Sequence, residues 1–210
     1  MLFFGEKETV LFQGDSITDC KRDREEIISL GSGYPLLLAS LLPIVYTKTD
    51  FTFINKGVSA NRVRDLEDRW DEDCIALKPT TLSILIGIND TWRRYRDDER
   101  RDATSVEAFE QSYRNILTRA RDGLKVKIIL LEQFLLPARE ELAGWREDLD
   151  PKIQVVRRLA KEFGALYIPL DGLFAAECMK KNPAFWAHDG IHPTHAGHGF
   201  IADAWMKAIV

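Results

Sequence analysis

A chain of 210 residues, 45% apolar and 30% charged, has the composition of a globular protein with one substantial core, which excludes a disordered or membrane-embedded chain. Its formal charge of -4, with both signs interspersed, offers no basic field to nucleic acid or anionic lipid, so a small neutral or weakly charged partner is expected. Cys20, Cys74 and Cys178 are too few and too dispersed for a disulfide framework or a paired-cysteine metal site. One domain over residues 1–210 is expected. Gly5, Glu6, Lys7 and Glu8 interrupt the N-terminal run before it reaches signal-peptide length, and no apolar run approaches the roughly 20 residues that cross a bilayer. The expectation is a cytoplasmic protein with no membrane partner.

Taken in chain order, the first β-branched and aromatic run, Thr9 to Phe12, predicts a strand followed by the polar run Gly14-Asp15-Ser16-Ile17-Thr18. A second strand, Phe51 to Ile54, is followed by Asn55-Lys56-Gly57. Val63, Leu66, Trp70, Cys74 and Leu77 then share one face of a helix, with Asn61 a candidate cap. A third strand, Thr81 to Ile86, leads into Gly87-Ile88-Asn89-Asp90, and the Arg- and Asp-rich stretch from Trp92 to Asp102 reads as a solvated loop.

Thr104 and Glu107 suggest a capping box for the helix bearing Val106, Phe109, Tyr113, Ile116, Leu117 and Ala120. After a fourth strand, Val126 to Leu131, Asp150 and Pro151 read as the N-cap and first residue of a helix that ends at Gly164. A fifth strand at Leu166 to Ile168 and an amphipathic helix from Thr194 onward complete the chain. Strand and helix alternate, which predicts an α/β fold: a three-layer α/β/α sandwich around a five-stranded parallel sheet, with ligands beyond the carboxyl ends of the strands.

Three polar runs therefore meet at one sheet edge, and a fourth, Asp189-Gly190-Ile191-His192-Pro193, precedes the last helix and can fold back beside them. A serine hydroxyl becomes a useful nucleophile when a base accepts its proton and an acid orients that base. Ser16, His192 and Asp189 supply those three roles, and one turn containing Gly190 can bring the carboxylate to the imidazole. The amides of Ser16 and Gly57 and the side chain of Asn89 are suitable donors for an oxyanion. Asp15 and Asp90 are expected to shape their own turns rather than act catalytically.

These segments resemble the four blocks of the GDSL, or SGNH, hydrolase family over nearly the whole chain, with Ile17 where the name-giving motif has leucine. The resemblance implies a flavodoxin-like sheet, Ser16 as nucleophile, Ser16, Gly57 and Asn89 as the oxyanion hole, and Asp189 with His192 as acid and base. No cofactor is implied. The neighbourhoods Asn55 to Leu66 and Gly87 to Trp92 look like those of intracellular bacterial acetylxylan esterases, which implies removal of acetyl groups from small carbohydrates or other short acyl esters and allows a homo-oligomer.

Competing readings stay open at this level. Trp92 and Trp186 suit the wall of a sugar site, and buried packing suits them equally. His188, His192, His195 and His198 lie close together with Asp189, yet no second carboxylate or cysteine cluster joins them, so no metal is expected. A thioesterase or lysophospholipase would use the same machinery, and a carbohydrate-binding relative without activity would keep the fold. Flavin binding is disfavoured, because Asp15 brings negative charge where a phosphate wants amide donors.

Overall fold

All five predicted strands form, and they pair in parallel. In the computed structural model, which describes residues 3–95 and 103–209, β1 (Lys7–Gly14), β2 (Asp50–Asn55), β3 (Thr81–Leu85), β4 (Lys127–Leu131) and β5 (Leu166–Ile168) make one sheet ordered β2-β1-β3-β4-β5. The central strand β3 is buried along its whole length, as a parallel strand covered on both faces must be. Alternate residues feed two cores. Val10, Phe12, Ile129 and Leu131 join one, whereas Leu11, Leu82, Ile84 and Leu130 join the other.

Helices α2 (Tyr34–Val45) and α9 (His195–Ala208) cover the first core, through Leu38, Leu42, Ile201 and Trp205. On the opposite face lie α3 (Val63–Asp68), α5 (Val106–Gly123) and much of α6 (Arg146–Phe163), through Leu66, Phe109, Ile116, Val156 and Leu159. The chain moves from β1 to β2 on one side and then returns past β1 to β3. Such a reversal leaves a crevice between the carboxyl ends of β1 and β3, which is where a ligand site is expected in an open α/β sheet.

Several local expectations shift. No stripe announces α2, because YPLLLASLLPIV is apolar around most of the helix; only Tyr34, Pro35, Leu38 and Leu42 are buried. The cap of α5 is Ser105, whose Oγ accepts from the Ala108 amide at 3.2 Å, so the predicted Thr104–Glu107 box is displaced by one residue. Helix α6 begins at Arg146 rather than at Pro151, fed directly by a 3-10 turn over Glu140–Trp145. Pro151 is tolerated near its start, where the missing donor removes one intrahelical hydrogen bond. Gly164 ends the helix in the left-handed conformation, as expected.

Trp92 belongs to α4 (Ile88–Tyr95) instead of a loop, and the remainder of the predicted 92–102 loop, from residue 96 on, lies outside the described residues. Two short helices, α1 (Ser16–Asp19) and α8 (Pro183–Trp186), the longer α7 (Leu170–Cys178), and a π-helical turn over Asp71–Ile75 that breaks the expected Val63–Leu77 helix after α3 complete the described elements. Among the described residues no helix is long and apolar enough to cross a membrane.

Candidate active site

Where β1 ends, Asp15 caps a single helical turn that begins with Ser16. Its Oδ1 accepts from the Ile17 amide at 3.0 Å, and its carbonyl accepts from the amides of Thr18 and Asp19 at 3.2 and 2.8 Å. The first amides of a helix have no internal acceptor, and this cap uses all but the foremost. The Ser16 amide has no acceptor among the described residues, at the end of the turn that carries its own hydroxyl.

The Ser16 Oγ stands 2.9 Å from His192 Nε2, and His192 Nδ1 stands 2.6 Å from Asp189 Oδ2. Asp189 Oδ1 is engaged separately, accepting from the amides of Ile191 at 2.9 Å and His192 at 2.7 Å. A bridge between Ala187 and Pro193 closes this turn at its base, and the Leu136 amide ties it to the segment after β4 by donating to the Gly190 carbonyl at 2.8 Å. Gly190 has φ of +84°, and a Cβ there would lie 2.6 Å from the Leu136 carbonyl oxygen, so both the turn and its docking require glycine.

Partial burial pushes the Asp189 carboxyl up, but its bonds from the His192 ring and from the His192 and Ile191 amides outweigh this and hold it well below the usual carboxylate range. The hydrogen bond to Asp189 raises the His192 pKa, burial opposes the rise, and the charges of Asp189 and Asp15 add to it. An ionised Asp189 fixes the imidazole proton on Nδ1. Nε2 then offers its lone pair to the serine hydroxyl.

Ser16, Ser59, Ala60, Asn89, Trp92, Arg93 and His192 line one cleft of about 380 Å³ at the switch point. Asn89, in the first turn of α4, donates from Nδ2 to the Asn61 carbonyl at 3.1 Å, which orients the amide and leaves its other hydrogen for the cleft. Gly57 differs from expectation. Its amide donates to Asn55 Oδ1 at 2.9 Å, and it is buried behind the cleft wall instead of lining it. The demand on Gly57 is space, since a Cβ would lie 2.3 Å from the Asp19 nitrogen.

Asn61 does not cap α3 either; Arg62 is the N-cap, and Asn61 Oδ1 accepts from Arg69 Nε at 2.8 Å. Asp90 reaches beyond its own turn: its Oδ2 accepts from the Val63 amide at 3.0 Å, tying the start of α3 to α4. Trp186 stays out of the cleft and packs on Phe174, Phe185 and Phe200, whereas Trp92 lies edge-on to His192 with ring centres 6.1 Å apart. Ser59, Ala60 and Arg93 were not predicted. The first two share the loop after β2 with Gly57, and Ala60's positive φ of 67° is invisible in sequence.

The sequence profile of the GDSL-like lipase/acylhydrolase family matches residues 12–200. The chain belongs to this family. An acetylxylan esterase from Geobacillus stearothermophilus is 37% identical over 210 residues, 98% of this chain and 95% of that protein. A solved catalytic mutant of an acetylxylan esterase from the same organism superposes with a TM-score of 0.91 at 35% identity, covering 99% of this chain and 96% of its own. A GDSL-like lipase candidate from Parabacteroides merdae superposes with a TM-score of 0.92 at 34% identity, covering 100% and 99%. This GDSL-family protein is a carboxylic ester hydrolase of the serine esterase type.

His198 is held apart from this chemistry by structural partners of its own. His198 Nδ1 accepts from the Tyr34 amide at 3.2 Å, which places its proton on Nε2, 3.3 Å from Cys20 Sγ. Burial lowers its pKa to about 4 and keeps it neutral. Among the described residues, no three His, Cys, Asp or Glu side chains are grouped to hold a metal ion.

Burial pushes the Asp15 carboxyl up to about 7 and that of Asp90 up to about 6, and Asp90 raises Asp15 further by repulsion. A carboxyl whose pKa rises on folding favours the fold while neutral; this contribution is full below pH 4 and is lost as pH climbs to about 7. Asp15→Asn keeps an oxygen for the Ile17 amide but cannot ionise. It is expected to gain stability relative to the parent between pH 4 and 8, by on the order of 4 kcal/mol at the upper end. Urea midpoints of the two proteins across that range check this; a difference independent of pH would refute it.

Proposed function

We propose that this esterase deacetylates xylo-oligosaccharides or closely related acetylated sugars through a Ser16 acyl-enzyme. The observation that carries the reading is the continuous hydrogen-bonded series Ser16–His192–Asp189 at the mouth of the cleft. His192 takes the hydroxyl proton as Ser16 attacks the acetyl carbonyl, then returns it to the departing sugar oxygen. Asp189 holds the ring and stabilises the imidazolium. The Ser16 amide and Asn89 Nδ2 receive the developing oxyanion, and water activated by His192 releases acetate.

Two further features support acetyl as the acyl group. A wall that sets Ser59, Asn89 and Arg93 beside Ala60 and Trp92 would make a long acyl chain desolvate those polar groups without pairing them, which disfavours a thioesterase or lysophospholipase. The similar Geobacillus protein is an acetylxylan esterase, and the solved catalytic mutants of a structurally similar acetylxylan esterase from the same organism replace a serine in one case and an aspartate in another with alanine.

The test is a panel of acetylated xylo-oligosaccharides, other acetylated sugars, and aryl esters from acetyl to octanoyl. Preference for acetyl and turnover of acetylated sugar are expected; preference for octanoyl would overturn the reading. Asn89→Ala is expected to lower kcat by about 10²- to 10³-fold with little change in KM, because its donor counts most when charge develops. Steady-state kinetics on a 4-nitrophenyl acetate substrate measures both.

A further inference from the structure

A second cavity, of about 240 Å³, adjoins the Ser16 cleft and shares Trp92 as a wall. Arg139, Glu141, Leu142, Trp145, Asp189 and Ile191 complete its lining. Its aromatic side is assembled from two elements that meet in space. Trp145, at the end of the 3-10 turn, stacks on Tyr95 of α4 with centres 5.3 Å apart and planes 12° apart, and meets Trp92 edge-on at 5.6 Å. The Tyr95 hydroxyl donates to the Gly144 carbonyl at 2.7 Å, pinning the turn to the helix. At the rim, Arg139 and Glu141 lie 3.7 Å apart, with side chains 54% and 71% exposed.

We propose that this cavity is a sugar subsite, holding the pyranose ring next to the acetylated one on the Trp92–Trp145 wall. The inference rests on the acetylated-sugar reading above and extends it from the reacting group to the chain that carries it. A pyranose presents an apolar C–H face and a ring of hydroxyls at its edge. Two indoles that brace each other, with Trp145 backed by Tyr95, match the face at little cost in conformational entropy. Arg139 supplies hydroxyl acceptors with donors, and Glu141 supplies hydroxyl donors with acceptors. An acyl tail would instead have to desolvate that charged pair and the Asp189 side of the cavity, which makes it the poorer occupant.

Kinetics on two substrates tests the assignment. One is acetylated xylotriose, which is long enough to fill both cavities; the other is 4-nitrophenyl acetate, which fills only the Ser16 cleft. Trp145→Ala is expected to reduce kcat/KM on the trisaccharide by about tenfold, mainly through KM, and to leave the aryl ester within about twofold. Arg139→Ala removes an exposed rim side chain without touching the core, and a smaller loss confined to the trisaccharide is expected. Unchanged trisaccharide kinetics in both variants would overturn the subsite, as would equal losses on both substrates in Arg139→Ala. If the parent enzyme hydrolyses the aryl acetate and no acetylated sugar, the sugar reading fails first and the subsite with it.

Discussion

Ser16→Ala is expected to lower kcat on acetyl esters by roughly 10⁴- to 10⁶-fold while KM and thermal stability stay close to those of the parent. Removing Oγ deletes the atom proposed to form the acyl bond, and water in its place lacks the fixed 2.9 Å approach to His192, while the amide of residue 16 remains for the oxyanion. The fold is left intact because the turn is held by Asp15 and by backbone bonds. Single-turnover mass spectrometry gives an independent reading. A serine-directed organophosphate should add its mass to the peptide containing Ser16 in the parent and to no peptide in the variant. Near-parental turnover in Ser16→Ala would remove the nucleophile from this account.

The second large effect concerns Asp189. Its two oxygens are unequal: Oδ1 accepts from two backbone amides, whereas Oδ2 accepts from His192 Nδ1. In Asp189→Asn the two amides hold the remaining oxygen at the Oδ1 position, so the new NH₂ group must face Nδ1. A donor there drives the imidazole proton to Nε2, and Ser16 meets an N–H instead of a lone pair. A loss of about 10⁴-fold in kcat follows.

The pH profile gives a second readout. In the proposed mechanism His192 must be neutral to accept the serine proton, so activity should be lost as pH falls through its pKa, which lies above the ordinary histidine value because of Asp189. The acid limb of kcat/KM should therefore move to lower pH in Asp189→Asn, since both the hydrogen bond and the charge that favour imidazolium are gone. An acid limb that stays where it was would mean that another group governs the titration.

Much of this was legible along the chain. Val10, Phe12, Ile129 and Leu131 alternate with Leu11, Leu82, Ile84 and Leu130 between the two cores, so the strand pattern is written into β-branched and apolar runs. Some caps that depend on near neighbours were readable: Thr194 and Gly164 bound their helices as expected, and the i, i+3 relation of Asp189 and His192 lies within one turn, whereas Ser105, Arg62 and Trp145 cap where Thr104, Asn61 and Asp150 were expected to. Helix α2 was hidden because its apolar residues form no stripe, and the start of α6 because Pro151 looks like a first residue wherever it stands early in a helix.

The harder features join residues distant in sequence. Gly57 looks like an amide donor when read alone, and only the folded loop shows that Asn55 has taken that amide and that α1 passes too close for a side chain. Asp90 reads as a turn residue until the Val63 amide is found against it. Trp92 and Trp186 were equal candidates in sequence, since an indole packs well in either setting, and the fold sends one beside His192 and the other into Phe174 and Phe200.

The sequence by itself therefore determined the α/β architecture, the polar runs at the strand ends and the chemical types available there, because those depend on periodicity and on turns a few residues long. Only the tertiary structure decided which groups share a cleft, which amides remain free and which tryptophans border it. Those outcomes depend on strand order. The return of the chain past β1 sets Ser16, Asn89 and His192 around one crevice and assembles Trp92, Tyr95 and Trp145 from elements separated along the chain.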